Sequence, residues 1–107
     1  MDKYSQQLDS FLQLLEQGSF LITDRDKANI QVVLAMLGPV DEEIFESYYG
    51  IFNVPRQSLE AIADRYHLRP VALQQAIEKD LRRLAITPEW QMMLRQFSPL
   101  LRHRLGL

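Results

Sequence analysis

Few residues of this sequence belong to the types that perform catalysis or bind metals. The chain contains no cysteine and two histidines, His67 and His103. Without cysteine there is neither a thiol nucleophile nor a thiolate ligand for a metal. The histidines have no third ligand at a suitable spacing, and the four glycines are isolated rather than grouped in a phosphate-binding loop. We therefore expect no enzyme, no metal or cofactor site and no small-molecule substrate.

A group of acidic residues near the middle of the chain is the one candidate for acid–base chemistry. It comprises Asp41, Glu42, Glu43 and Glu46. Paired carboxylates can act as general acid and base. The same acids are also typical of a helix start, where one residue caps the helix and the others lie in its first turn. Negative charge is favoured there because the helix dipole is positive at this end. The sequence therefore predicts that Asp41 caps a helix, and we assign no catalytic residue.

The other chemistry that the residue types allow is electrostatic recognition. The net charge is −2. Residues 1–57 hold four cations against nine acids, a balance of −5, and residues 58–107 hold eight cations against five acids, a balance of +3. A polyanion would contact the second half, although +3 is far from the strongly basic balance of a dedicated nucleic-acid binder.

The length and composition predict one globular domain. The chain has 107 residues, of which 47% are hydrophobic and 24% charged. These values are near globular averages and suffice for one core. No basic stretch followed by an apolar run opens the sequence, and no segment approaches the ~18 consecutive apolar residues of a membrane span. We expect a cytoplasmic location without a membrane partner.

Proline, glycine and capping residues divide the sequence into predicted helices, and no alternating strand pattern competes with them. The sequence therefore predicts an all-α fold, a single compact helical domain of about five or six helices. Asp24 is expected to cap the second helix. The predicted helices cover residues 4–17, 25–37, 42–49, 59–66, 70–85 and 89–97.

Three parts are distinguished within this single domain of residues 1–107. Residues 1–38 form an N-terminal helical pair, residues 41–85 form the centre, and residues 87–107 form a C-terminal helix and tail. The end of the tail is either a short docked turn or a mobile basic segment. The last predicted helix carries several apolar residues at helical spacing, and they belong either to the core or to a ridge that binds a partner. These residues are Trp90, Met92, Met93, Leu94 and Phe97.

The centre carries the residue pattern of a helix-turn-helix. In this motif a small residue of the first helix allows the second to cross closely, and apolar residues flank a tight turn. Ala63 is the small residue, and Leu73 and Ala76 are expected to face back toward it. His67 takes the turn position where glycine is common, and histidine enters the left-handed conformation at modest cost. Any helical hairpin can show this pattern, so plain packing remains an alternative.

The flanking segments extend the likeness to a known family. Residues 42–50, 58–63 and 73–84 read EEIFESYYG, SLEAIA and LQQAIEKDLRRL. Over residues 41–84 the chain resembles region four of bacterial RNA polymerase sigma factors. Their pattern is an acid-rich helix ending in Arg-Tyr-Gly, a loop, Thr-Leu-Glu-Glu-Ile-Ala, a turn, and a helix ending in Leu-Arg-Arg-Leu. The last segment aligns without a gap.

The resemblance implies that the second helix of the motif enters the major groove of DNA while the first rests on phosphates. This chain departs from the family pattern at the start of the second helix. Pro70, Val71 and Ala72 stand where the family has Arg and Glu, and they cannot make bidentate contacts to guanine. Gln74 stands where an arginine is usual. The implied DNA-binding residues are Ser58, Arg69, Val71, Gln74, Gln75, Lys79, Arg82 and Arg83.

Two functions are consistent with these features. The first is a transcription-associated helix-turn-helix module that binds duplex DNA, RNA polymerase or both. In that case Gln74 and Gln75 read adenine while Val71 and Ala72 contact thymine methyl groups. The alternative is a protein-interaction or dimerisation module that keeps the fold but has lost base readout, which includes a homodimer.

Overall fold

The computed structural model describes all 107 residues and contains seven helices and no strand. The predicted all-α fold is confirmed. The helix count exceeds the predicted five or six because residues 99–104 form a further short helix, so the tail is docked by Leu101 and Leu105 rather than mobile. The elements are α1 Lys3–Glu16, α2 Asp24–Ala35, α3 Pro39–Tyr49, α4 Leu59–Arg65, α5 Pro70–Ala85, α6 Pro88–Gln96 and α7 Pro99–Arg104.

Proline and capping side chains set the helix starts. Proline stands at the first position of α3, α5, α6 and α7, where the amide that it lacks would have no intrahelical partner. Ser58 caps α4 by accepting a hydrogen bond from the amide of Ala61 at 3.1 Å. Side chains likewise cap α1, α2, α6 and α7. Only α3 and α5 begin without a capping side chain.

Two predicted caps were wrong. Thr23 rather than Asp24 caps α2, because its hydroxyl accepts from the amide of Asp26 while the Asp26 carboxylate accepts from the amide of Thr23. This reciprocal capping box satisfies two amides, whereas a cap at Asp24 would satisfy one. Asp41 does not cap α3, because Pro39 starts that helix two residues earlier and places Asp41 in its first turn.

The core is one contiguous cluster of 25 buried apolar residues drawn from all seven helices. Phe11 of α1 stacks on Phe97 at 5.2 Å between ring centroids and meets Trp90 edge-on at 5.4 Å. These contacts join the first helix to the last third of the chain. Trp90, Met93, Leu94 and Phe97 are therefore core residues, whereas Met92 is exposed.

The connection between α4 and α5 ends α4 in a left-handed turn. His67 adopts a φ of 58°, as its position in the predicted turn requires. The amide of Leu68 donates to the carbonyl of Ala63 at 2.8 Å, and the amide of His67 donates to that of Asp64 at 3.2 Å. This pair of bonds closes the helix end.

No helix of the structure combines the length and the apolarity needed to cross a membrane.

Candidate nucleic-acid interface

Helices α4 and α5 pack directly against each other on either side of the four-residue connection 66–69. Ile62 and Ala63 of α4 are buried, as are Leu73 and Ile77 of α5. Ala76 was expected to face α4 as well and is instead exposed. Successive helical residues are about 100° apart, so Ala76 falls outside the arc that contains Leu73 and Ile77. The helical pair is compact, and Leu73 carries the inward contact near its start.

The first turn of α5 points away from the body of the molecule. Arg69, Pro70 and Ala72 are exposed, and the side chain of Val71 is 69% exposed. No side chain caps this end of the helix. The amides of Val71 and Ala72 therefore remain open to a partner from outside, because the first amides of a helix have no intrahelical acceptor.

One side of α5 continues this exposed turn along the helix. Residues three and four apart on a helix are surface neighbours, so a row of exposed side chains follows Val71 at this spacing. We refer to the exposed row, together with the preceding Arg69, as the α5 face. It comprises Arg69, Val71, Ala72, Gln75, Ala76, Lys79, Arg82 and Arg83.

The α5 face carries four cations, and one half-buried acid lies at its edge. Asp80 is buried, whereas Glu78 is half-buried and lies three residues beyond Gln75, at the spacing of surface neighbours. Arg82 lies near Asp2, with 3.7 Å between Nε and Oδ2. Arg69 and Lys79 have no acidic side chain within 4.0 Å. Exposed ion pairs contribute little and exchange readily with solvent, so Arg82 remains available to phosphates. Arg83 pairs with the buried Asp80, but its guanidinium is exposed and has further N–H groups to donate.

The two glutamines that were predicted to read bases differ in their surroundings. The Nε2 of Gln74 donates to Oε1 of Glu78 at 3.2 Å, and Gln74 is half-buried. Gln75 is exposed and its side chain makes no hydrogen bond within the protein. The structure thus brings Gln75 onto the α5 face and leaves Gln74 beside it, already engaged.

Ser58 lies at the start of α4 rather than on the α5 face. Its hydroxyl oxygen accepts the capping hydrogen bond from Ala61, and the residue is exposed. The hydroxyl proton remains available to an acceptor such as a phosphate oxygen. Two acids of α4, Glu60 and Asp64, are also exposed. Their negative charge repels phosphates, so it opposes the phosphate contact expected of α4 and leaves α5 as the positive helix of the pair.

Asp80 lies beneath the α5 face and forms a carboxyl pair with Asp41 of α3. Helical spacing places Asp80 near the apolar side of α5, and the sequence therefore predicts a position at the edge of that side, where it would pair with Arg83 or Arg65. It is buried instead, with 7% of its surface exposed, although the pairing with Arg83 is observed at 3.6 Å. Arg65 instead donates to the hydroxyl of Ser47. The first turn of α3 approaches α5 at this point, which no local sequence pattern indicates.

The carboxyl pair changes the ionisation of Asp80. Burial, the hydrogen bond with Asp41 and the charge of Asp41 together raise the pKa of Asp80 from 3.8 to about 7, while Arg83 and Lys79 act in the opposite direction. Two nearby carboxyl groups in a desolvated place favour a shared proton. At neutral pH Asp80 is therefore about half protonated, so it offsets the cations of the α5 face by less than a full negative charge.

A second surface feature lies between α2 and α6. A hollow of about 280 Å³ is lined by eight residues, among which Val32 and Met92 are exposed apolar side chains and Arg25 and Glu89 carry opposite charges. It holds no cluster of groups suited to catalysis.

The chain matches no family model, no curated protein and no solved structure. The α5 face and its charges therefore supply the arguments for function.

Proposed function

We propose that this chain is a transcription-associated DNA-binding module similar to region four of sigma factors, with α5 lying in the major groove of duplex DNA. The single observation that carries the proposal is the α5 face: an outward, uncapped first turn followed by four exposed cations, with one acid of the helix buried and the other half-buried at the edge of the face. A recognition helix needs an exposed amino-terminal half to reach base edges and flanking cations to bind phosphates.

The charges of the α5 face determine how strongly the proposed DNA binding depends on salt. Arg69, Lys79, Arg82 and Arg83 can each neutralise a phosphate, and each neutralised phosphate releases counterions from the DNA. Four such contacts correspond to a logarithmic salt dependence with a slope of about −3.6. The module thus binds DNA mainly through its backbone, and it discriminates between sequences less than a helix with guanine-reading arginines. RNA polymerase remains a second proposed partner that rests on the family resemblance.

A salt titration tests the DNA claim. Binding of the full chain to a labelled duplex is measured by fluorescence anisotropy over a series of salt concentrations. We expect affinity to weaken steeply with salt, and Lys79→Ala to reduce the magnitude of the slope by about 1. Lys27→Ala is the matched control, because Lys27 is an exposed lysine of α2 outside the α5 face. An absence of binding at low salt would remove the DNA claim.

The rival function, a protein-interaction or dimerisation module, is favoured by one observation. Val71, Ala72 and Ala76 make part of the α5 face small and apolar, and small exposed apolar residues permit a protein surface to approach closely. If the chain self-associates in analytical ultracentrifugation, Val71→Asp should abolish the association under this rival and Arg82→Gln with Arg83→Gln should preserve it. Glutamine is preferred to glutamate because a new acid at position 83 would face Asp80.

A further inference from the structure

The first turn of α5 presents methyl groups where a DNA-reading helix usually presents charged or polar side chains. We infer that the α5 face recognises A·T pairs by contact of Val71 and Ala72 with thymine methyl groups and by hydrogen bonding of Gln75 to adenine. This inference rests on the DNA binding proposed above and names the bases that the same site would read.

The positions of the side chains around the helix separate readers from phosphate contacts. With 100° per residue, Gln75 lies 40° from Val71 on the α5 face. Arg69 precedes the helix with an extended backbone, at a φ of −75° and a ψ of 145°, and so stands outside the row that Val71 and Gln75 form. Lys79 lies two turns beyond Val71, about 12 Å along the axis. Lys79 is therefore too far along the helix to contact the base pair that Val71 contacts.

The spacing along the helix matches neighbouring base pairs. Val71 and Gln75 are four residues apart, which is about 6 Å along the helix axis. The base pairs of duplex DNA are stacked about 3.4 Å apart. The two side chains can thus contact base pairs that are one or two steps apart, depending on the tilt of the helix in the groove.

The chemistry of the available groups selects A·T pairs. Thymine alone among the four bases carries a methyl group in the major groove, and apolar side chains contact it, while a glutamine amide can bond to both N6 and N7 of adenine. Guanine recognition commonly uses arginine or lysine at these positions. Gln74 cannot substitute as a free reader while its amide donates to Glu78. Val71 and Gln75 therefore favour A·T pairs at the positions that they contact.

The test begins with selection of binding sites by the full chain from a randomised duplex library at low salt. The selected consensus is expected to hold A·T pairs at the contacted positions. Thymines are then replaced one at a time by deoxyuridine, which lacks only the methyl group. Since burial of one methyl-sized group stabilises by about 0.8 kcal/mol, each contacted thymine should show a loss of affinity of about fourfold.

Two variants assign the effect to its residues. Val71→Ala should reduce the fourfold difference between thymine and deoxyuridine, and Gln75→Ala should remove the loss caused by replacing adenine with 7-deazaadenine, which lacks the N7 acceptor. Lys79→Ala is the control, because it should weaken both duplexes equally. Circular dichroism of each variant checks that α5 is retained, and exposed positions such as these tolerate substitution.

The outcomes separate this inference from the proposed function. A consensus with guanines at the contacted positions would overturn the inference and leave DNA binding intact. An A·T consensus indifferent to deoxyuridine would also overturn it, because the protein would then be reading the shape of the groove rather than methyl groups. Failure to bind any duplex at low salt would remove the proposed function, and the inference with it.

Discussion

The guanidinium Nη1 of Arg83 lies 3.6 Å from Oδ1 of Asp80, so a cation of the α5 face stands directly over a buried acid. Asp80 shares a hydrogen bond with Asp41 on its other side. The ionisation of one buried group is thereby linked both to the position of Asp41 in α3 and to the charge of the proposed DNA-binding surface.

This relationship predicts that the stability of the protein depends on pH through Asp80. Its pKa is near 3.8 unfolded and is raised to about 7 when folded, first by burial and then by Asp41. A raised folded pKa contributes stability that is fully present below the unfolded pKa and is lost as pH rises through the folded pKa. Asp80→Asn should therefore be more stable than the wild type at pH 8, by roughly 1–3 kcal/mol.

Urea unfolding at a series of pH values measures this effect. The difference between Asp80→Asn and wild type should grow as pH rises from 4 to 8, because the wild type alone must ionise the buried carboxyl. Asp64→Asn, an exposed acid of α4, is the control and should show little such difference. A difference that is independent of pH would contradict the raised pKa of Asp80.

The hydrogen bond between Tyr49 and Asp9 is predicted to hold α3 against α1. The Tyr49 hydroxyl donates to Oδ1 of Asp9 at 2.6 Å. The pKa of Tyr49 is raised mainly because the hydroxyl is buried and also because of this hydrogen bond. Tyr49→Phe should lower the free energy of unfolding by about 1.5–3 kcal/mol, as expected for a bond to a charged group. Tyr48→Phe is the matched control, since its hydroxyl makes no hydrogen bond within the protein. Equal losses in the two variants, measured by urea unfolding, would argue against the bond.

Gly50 is predicted to be required for close approach as well as for its backbone conformation. It has a φ of 67°, and a Cβ there would lie 2.7 Å from the Cβ of Arg56. Gly18 has a nearly equal φ of 68° but open space around it. Thermal unfolding should show Gly18→Ala losing about 1–2 kcal/mol for the left-handed backbone, and Gly50→Ala losing clearly more. Similar losses would mean that the loop around Arg56 can move aside.

Two substitutions of Ser58 separate its capping role from its proposed role in DNA binding. Aspartate caps helices as well as serine does, so Ser58→Asp should keep the stability of the protein within about 0.5 kcal/mol. The added negative charge should weaken DNA binding if Ser58 lies near a phosphate. Ser58→Ala should show the opposite pattern, with a loss of about 1 kcal/mol in stability. Unchanged DNA binding by Ser58→Asp would remove Ser58 from the interface.

Sequence spacing predicted α5 well because strong local signals define it. Pro70 starts the helix and the apolar residues that follow at helical spacing end at Ala85, and the observed bounds are the same. The starts of α2 and α3 were mispredicted because neighbouring residues could each begin the helix. Thr23 caps α2 because it forms a capping box with Asp26, and α3 begins at Pro39 rather than after Asp41. Such choices depend on side-chain geometry that periodicity does not contain.

The parts of the candidate site that escaped prediction depend on tertiary contacts. Seven of the eight proposed DNA-binding residues are exposed, while Gln74 is half-buried beside Glu78. The pairing of Asp41 with Asp80 requires the start of α3 to approach α5, although α4 and the loops on both of its sides separate the two residues in the sequence. Hydrophobic spacing identifies the faces of helices, but it does not specify which polar groups meet when those faces pack.

The most direct test of the account is a nuclear magnetic resonance titration of the isotope-labelled full chain with duplex DNA, in which the amide signals report the contact surface. We expect the largest shifts at Val71, Ala72, Gln75 and Lys79, with the amides lining the α2–α6 hollow little changed. Shifts concentrated around Val32 and Met92, or no shifts at low salt, would contradict the assignment of α5 as the DNA-binding helix.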